Sequence, residues 1–480
     1  MKIILKLIFM KSIRLIIAVA LVCISASLSA KVTLPAIISD NMVLQQNTEV
    51  TLWGKAEPGA QLLITPGWDA PSVTVKVSKQ GSWEAKLKTA KAGGPYDLTF
   101  NDGEVLVVGN VLLGEVWFCS GQSNMVMPMR GFTCQPVEES MDYIVKAKPS
   151  RDIRVCSIKR SKSVTPLETA QCKWMEHTPE AVSASSATAY FFAEYLNSIL
   201  DVPVGVIVAA WGGAKIKTWM DRETLKGAFP EVSLPDLKGP VPEEKPQHEA
   251  TILYNGMVAP ITSYTIKGLL WYQGCSDSDE PALYERLVPA YVDMMRTKFG
   301  NSSLPFYYVQ IAPYKTKDGN GRYIREAQLN NLKTIPNSGM VVTTDAGDTR
   351  CIHPAKKKPV GQRLALLALY NDYGIKGFDP NPPTYESMSV KCKYATLKFN
   401  VGESQLAPKG WDLDGFEVAG EDKVFHPAVA KVKGKDELTV ACDKVEKPVA
   451  VRYNFSDTAD VATLFNLSGI PASPFRTDKW

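Results

Sequence analysis

A chain of 480 residues is longer than one compact core can use, so two to four domains are expected. Apolar residues make up 45% and charged residues 22%, an ordinary globular composition that excludes disordered and fibrous classes. The net charge of +4 is carried by Lys2, Lys6, Lys11 and Arg14, all within the first thirty residues; the remainder is neutral and offers no basic surface for nucleic acid.

Those four basic residues precede Leu15-Ile-Ile-Ala-Val-Ala-Leu-Val-Cys-Ile24 and the small residues Ser25-Ala-Ser-Leu-Ser-Ala30. The order is that of a secretory signal peptide cleaved after Ala30, with Met10 as an alternative start. The apolar stretch is shorter than the roughly 20 residues a membrane span needs. A secreted or periplasmic protein with no membrane insertion after cleavage is therefore expected, and Val22 argues against lipid attachment at Cys23. Eight cysteines remain, Cys119, Cys134, Cys156, Cys172, Cys275, Cys351, Cys392 and Cys442, an even number that permits disulfides in an exported protein. With no Cys-x-x-Cys and four histidines, no structural metal site is expected.

Residues 31–109 read as an N-terminal β-sandwich. Val50–Trp53, Gln61–Ile64, Ser72–Val77, Ser82–Leu87 and Tyr96–Phe100 alternate apolar and polar residues between Gly- and Pro-containing turns. From about 110 to 382 strands alternate with helices. Val111–Cys119, Val204–Ala209, Ile266–Tyr272, Phe306–Ile311 and Gly339–Thr344 are near-continuous apolar runs, as strands covered on both faces require. The helical patterns span 184–200, 284–299, 324–332 and 360–370. Together they predict an α/β parallel sheet with helices on both faces. The proline-rich stretch 224–249 is expected to be a surface loop near the cleft. After about 383, alternation over 396–399, 415–419, 428–432, 437–440 and 449–453 predicts a C-terminal β domain to residue 480.

The predicted strand at 111–119 runs into Ser120-Gly-Gln-Ser-Asn124, a break of the kind found where open α/β sheets carry chemistry at a strand's carboxyl end. Ser123 is the candidate nucleophile there, against the plainer reading of a polar turn. A serine needs a base to take its proton and donors to receive the oxyanion. His353 follows the strand ending at Thr344 on the same expected sheet edge, whereas His177, His248 and His426 have no such placement. The backbone N–H of Ser123 and that of Gly212 or Gly213 are the candidate oxyanion donors, since a glycine after a strand admits close approach of the main chain.

Four motifs occur in order: Trp117-Phe-Cys-Ser-Gly-Gln-Ser-Asn-Met125, Trp271-Tyr-Gln-Gly274, Ile352-His-Pro354 and Pro474-Phe-Arg-Thr-Asp-Lys-Trp480. In these the chain resembles the sialate O-acetylesterases, a branch of the SGNH hydrolases, over nearly its whole length after the leader. The resemblance implies a three-layer SGNH-type (flavodoxin-like) catalytic domain flanked by the two β domains. It also implies a carboxylic ester hydrolase that needs no cofactor and takes an acetylated carbohydrate, sialic acid or a plant polysaccharide such as xylan. His353 becomes the general base and Asp348, in Asp345-Ala-Gly-Asp348, the residue that orients it, with Asp345 and Asp277 as fallbacks and a Ser-His dyad with a carbonyl partner as the remaining alternative. Gln122, Asn124, Gln273 and Gly213 become oxyanion or binding residues, and Arg130 could meet a sialate carboxylate.

Three positions depart from the family pattern. Where relatives have Trp-Tyr-Gln-Gly-Glu-Ser-Asn, this chain has Cys275 for the Glu and Asp277 for the Asn. An ionised Asp277 cannot donate to an oxyanion; it would need a proton or leave the hole to backbone donors. Cys351 stands at a common carboxylate position before His353. Cys275 and Cys351 are then either a disulfide joining the two loops or two small buried thiols. These losses also leave open a glycan-binding or scaffold protein on a degenerate esterase fold.

Overall fold

The computed structural model describes residues 32–316, 318–410, 413–459 and 461–480; the expected leader and Cys23 lie outside them. The first β unit comprises β1 (Val43–Gln45), β2 (Glu49–Lys55), β3 (Gln61–Pro66), β4 (Val73–Lys76), β5 (Ser82–Lys88), β6 (Gly93–Asn101) and the start of β7 (Val105–Gly121). β2 and β5 pair with each other and bury Val50, Leu52, Trp83 and Leu87 in the same core as Leu62, Ile64, Leu98 and Phe100 of the facing strands. The strict alternation of buried and exposed residues along β3 and β5 is that of strands with one dry face.

β7 is 17 residues long, and position 109/110 falls inside it. Its first half pairs antiparallel with β6, and Leu112–Gly114 pair parallel with β1. Its second half is the centre of a seven-stranded path completed by β8 (Ile153–Ser157), β9 (Trp174–Met175), β10 (Val204–Ala210), β11 (Gly268–Tyr272), β12 (Phe306–Val309) and β13 (Ser338–Val341), in the order β13-β12-β11-β7-β10-β8-β9. All neighbours in that path are parallel except β8 and β9.

The buried residues of the central strands divide between two hydrophobic clusters. Trp117, Cys119, Val206, Val208, Leu270 and Tyr307 pack with α2 (Ala187–Leu200) and α5 (Lys358–Asn371). Phe118, Ile207, Leu269, Trp271 and Tyr308 pack with α3 (Pro281–Lys298) and α4 (Gly321–Thr334). α1 is the single turn Ser123–Val126 that leaves β7. The helices start and end within three residues of the predicted spans. The expected loop over 224–249 is only partly irregular, because Asp221 caps the helix Arg222–Ala228 through its side chain before the prolines begin.

The C-terminal residues form two four-stranded antiparallel sheets and a two-stranded one. Leu397, Leu438, Val440, Phe416, Tyr453 and Phe475 meet between them. This unit is fastened to α4 by Arg476, whose guanidinium reaches Glu326 at 2.7 and 2.9 Å, and by Asp457, which accepts from Arg322 N–H at 2.9 Å. Asp478 holds Arg452 at 2.8 and 2.9 Å, so the terminal motif is spent on docking. Among the described residues no helix is long and apolar enough to cross a membrane, and no group of three or more His, Cys, Asp or Glu is arranged to hold a metal ion.

Candidate active site

β7 ends on Gly121, whose φ of +139° belongs to glycine. A Cβ there would lie 2.2 Å from the Tyr272 carbonyl oxygen, so only glycine lets the ends of β7 and β11 come together. Gln122 N–H donates to that same carbonyl at 3.0 Å, and the chain then turns into α1 with Ser123 as its first residue. At the first position of a helical turn, the Ser123 N–H has no acceptor within the turn.

Ser123 Oγ lies 2.7 Å from His353 Nε2, and both residues are half-buried. They are 230 positions apart in sequence and meet because β7 and β13 deliver their following loops to one edge of the sheet. The other ring nitrogen, Nδ1, lies 2.8 Å from Gln135 Oε1. As an acceptor, that oxygen puts the ring proton on Nδ1 and leaves the Nε2 lone pair for the serine hydroxyl. Phe132 meets the imidazole edge-on at 5.2 Å between ring centres. Burial, and then the charge of Lys357, hold the imidazole pKa below its ordinary value.

Gln135 therefore occupies the position expected for Asp348. It is placed by a closed turn in which Phe132 and Gln135 exchange two backbone hydrogen bonds of 3.0 Å, with Gly131 at φ +79° and Cys134 at φ +60°. Asp348 instead accepts from Arg350 N–H at 2.9 Å, a turn within its own loop. Asp345 forms a two-pronged pair with Arg363 at 2.7 and 2.5 Å. Asp277 is buried behind the site, where it accepts from Ile216 N–H at 3.1 Å and from the Gln273 amide. Burial pushes its carboxyl up to about 7, against the pull of Gln273 and Lys215. None of the three carboxylates is a hydrogen-bond partner of His353.

Other expected binding residues also turn inward. Gln122 is 2% exposed and its Oε1 accepts from Gly274 N–H at 3.0 Å. Asn124 is 1% exposed; its Nδ2 donates to the Ile352 carbonyl at 2.9 Å and its Oδ1 accepts from Lys357 at 2.7 Å. Gln273 donates to the Ala214 carbonyl at 2.9 Å and to Asp277. Each amide braces a loop and none is open to an acyl group. Gly212 borders the nucleophile, since a Cβ on it would sit 3.5 Å from Ser123 Cβ; Gly213, with φ +73°, follows it, and a Cβ there would meet Gln247 Nε2 at 3.7 Å. Trp211 N–H donates to the Gly121 carbonyl at 3.2 Å, and Arg160 stands over the Trp211 ring at 5.3 Å. Arg130 is exposed. Cys275 and Cys351 are both free thiols, and Cys351 Sγ donates to the His353 carbonyl at 3.3 Å, so of the two readings of the pair it is the two thiols that are found and not the disulfide.

A half-buried serine bonded to an oriented imidazole can perform acyl transfer. The model of the family described as carbohydrate esterase, sialic acid-specific acetylesterase, matches residues 113–369, more than half of the chain and all of this site. The chain belongs to that family. This esterase is similar to the sialate O-acetylesterase of Homo sapiens, with 27% identity over 488 residues and 91% of each chain covered. Its likeness to the Mus musculus sialate O-acetylesterase is 26% over 508 residues, covering 91% of this chain and 93% of that one. Among solved structures, a carbohydrate acetylesterase from Xanthomonas citri superimposes with a TM-score of 0.85 at 33% identity, over 94% of this chain and 100% of that one. The protein is accordingly a carboxylic ester hydrolase.

Gln135 and Lys357 went unnoticed in the sequence. Gln135 lies in an irregular loop with no periodic signal, and Lys357 sits in the run Lys356-Lys-Lys358, which reads as solvated charge.

Proposed function

We propose that this chain is an exported serine esterase that removes O-acetyl groups from sugars, with O-acetylated sialic acid as its substrate. The observation that carries the reading is the 2.7 Å contact of Ser123 Oγ with a His353 whose far nitrogen is already engaged. Ser123 Oγ bonds to the acetyl carbon as His353 Nε2 takes its proton. The tetrahedral oxyanion is received by the backbone N–H groups of Ser123 and of Gly212 or Gly213 rather than by Asp277. The carbon–oxygen bond to the sugar breaks, and the imidazolium returns the proton to the sugar oxygen. Water, deprotonated by His353, then attacks the acetyl-serine; the bond from the acyl carbon to Ser123 Oγ breaks, the imidazolium returns its proton to Oγ, and acetate leaves.

The finer organisation belongs to the same proposal: leader 1–30, β-sandwich 31–109, three-layer SGNH-type catalytic domain 110–382 and β domain 383–480. Sialic acid is favoured by the family description and by the names of the mammalian relatives. The test is release of acetate from p-nitrophenyl acetate, then from O-acetylated sialic acid and acetylated xylan, by wild type and Ser123→Ala. Activity in wild type that Ser123→Ala abolishes supports the mechanism, and faster turnover of the sialic acid supports the substrate. Activity surviving in the variant rejects the mechanism. A wild type inert on all three would favour a binding protein on a degenerate esterase scaffold.

A further inference from the structure

Lysine is almost never fully buried without a purpose, because desolvating its ammonium is costly. Lys357 is 0% exposed and lies directly behind the candidate dyad. Its Nζ donates to Asn124 Oδ1 at 2.7 Å and to the Pro354 carbonyl at 2.7 Å. Asn124 in turn donates to the Ile352 carbonyl at 2.9 Å. Asn124 is the residue after Ser123, and Ile352 and Pro354 stand on either side of His353. One amine and one amide therefore bind the nucleophile turn to both flanks of the base. Thr188 Oγ1 donates to the Asn124 carbonyl at 3.0 Å, fixing the same turn from α2.

We propose that Lys357 is a positioning residue of this esterase, clamping the Ser123 turn to the His353 loop and setting a positive charge beside the imidazole. The inference rests on the serine–histidine reading given above. Cavity filling alone does not account for the arrangement: an apolar side chain of similar volume would fill the same space without the desolvation cost. The ammonium earns its position only if its donors and charge are used.

The charge has a direction. Burial pushes the Lys357 amine down to about 7, with the Cys351 and Cys275 thiols acting in the opposite sense. The amine is thus cationic across the acid range in which an imidazole protonates. Cys275 faces it from the loop after β11, with its thiol pushed up to about 11 chiefly by burial, and is neutral in that range. Cys351 lies on the histidine loop and Asn124 on α1, while Gln135 and Phe132 cover the other side of His353. A cation beside His353 disfavours the imidazolium and keeps the base unprotonated to lower pH.

The experiment is the pH profile of p-nitrophenyl acetate hydrolysis by the full chain as wild type, Lys357→Met, Lys357→Gln and Ser123→Ala, with thermal unfolding of each. We expect Lys357→Met to lose about tenfold or more in kcat with little change in KM, as a misplaced base does. The acid limb of kcat/KM should move upward by about half a pH unit in both Lys357→Met and Lys357→Gln, because both remove the cation. Lys357→Gln, which keeps one donor, should lose less in kcat. A purely structural lysine would lower the unfolding temperature and leave the acid limb where it is, which overturns the proposal. Should Lys357→Met not fold, the limb of Lys357→Gln decides the matter. Activity surviving in Ser123→Ala rejects the dyad itself and the positioning role with it, a result read separately from the lysine variants.

Discussion

Gln135 Oε1 lies 2.8 Å from His353 Nδ1, across the ring from Ser123. A neutral amide in this place fixes the tautomer and orientation of the imidazole but gives little charge stabilisation to the imidazolium. Gln135→Ala is expected to lower kcat by about 10- to 100-fold through loss of orientation. Gln135→Glu should keep the hydrogen bond, raise the His353 pKa and move the acid limb of kcat/KM to higher pH. Steady-state kinetics between pH 5 and 9 on p-nitrophenyl acetate check both; an unmoved limb in Gln135→Glu refutes the contact.

Asp348 is the carboxylate nearest His353 in sequence, yet its oxygens serve the backbone and side chain of Arg350, which is 91% exposed. Asp348→Asn should change kcat/KM by less than about twofold, the ordinary consequence of altering an exposed pair. A loss as large as that of Gln135→Ala would return the orienting role to the carboxylate.

Asp277 couples folding to pH. Its folded carboxyl is pushed up to about 7, first by burial, while an unfolded Asp titrates near about 3.9. The folded chain therefore holds this proton more tightly, so the contribution of Asp277 to stability is fully present at low pH and is lost as pH rises through that window. Asp277→Asn removes the step. Unfolding temperature measured from pH 4 to pH 8 should fall less steeply with pH in the variant than in wild type, and parallel curves would exclude the effect.

Gly121 tests the junction of β7 and β11. Alanine there meets the Tyr272 carbonyl at 2.2 Å in a backbone conformation foreign to L-residues, whereas alanine at Gly103, with φ +117°, meets nothing within 4 Å. Gly103→Ala should cost only the backbone strain, about 1–3 kcal/mol. Gly121→Ala should lower the unfolding temperature further and abolish esterase activity. Equal effects from the two substitutions would mean that the strand ends part easily.

Periodic features were legible in the sequence. The apolar runs of β10 and β11 and the helical stripes of α2 to α5 obey fixed repeats, and repeats survive without coordinates. The meeting of Ser123 with His353 could be anticipated because both follow strands of one parallel sheet. The partner of His353 could not, since Gln135 is delivered by a left-handed turn at Cys134 that follows no repeat. Asp348 misled through proximity along the chain: a carboxylate two residues before a free backbone N–H closes a local turn sooner than it crosses a cleft. Cys275 and Cys351 invited a bond that the loops do not make.

Because β7 carries the outer β unit on its first half and Ser123 just beyond its last residue, the proposed boundary at 109/110 falls inside one continuous strand. A graft that exchanged the first hundred residues for another module would saw through a hydrogen-bonded ladder instead of a linker. Engineers wishing to append cargo should use an exposed loop, since the root of that strand and the Ser123 hydroxyl beyond its tip belong to one continuous element.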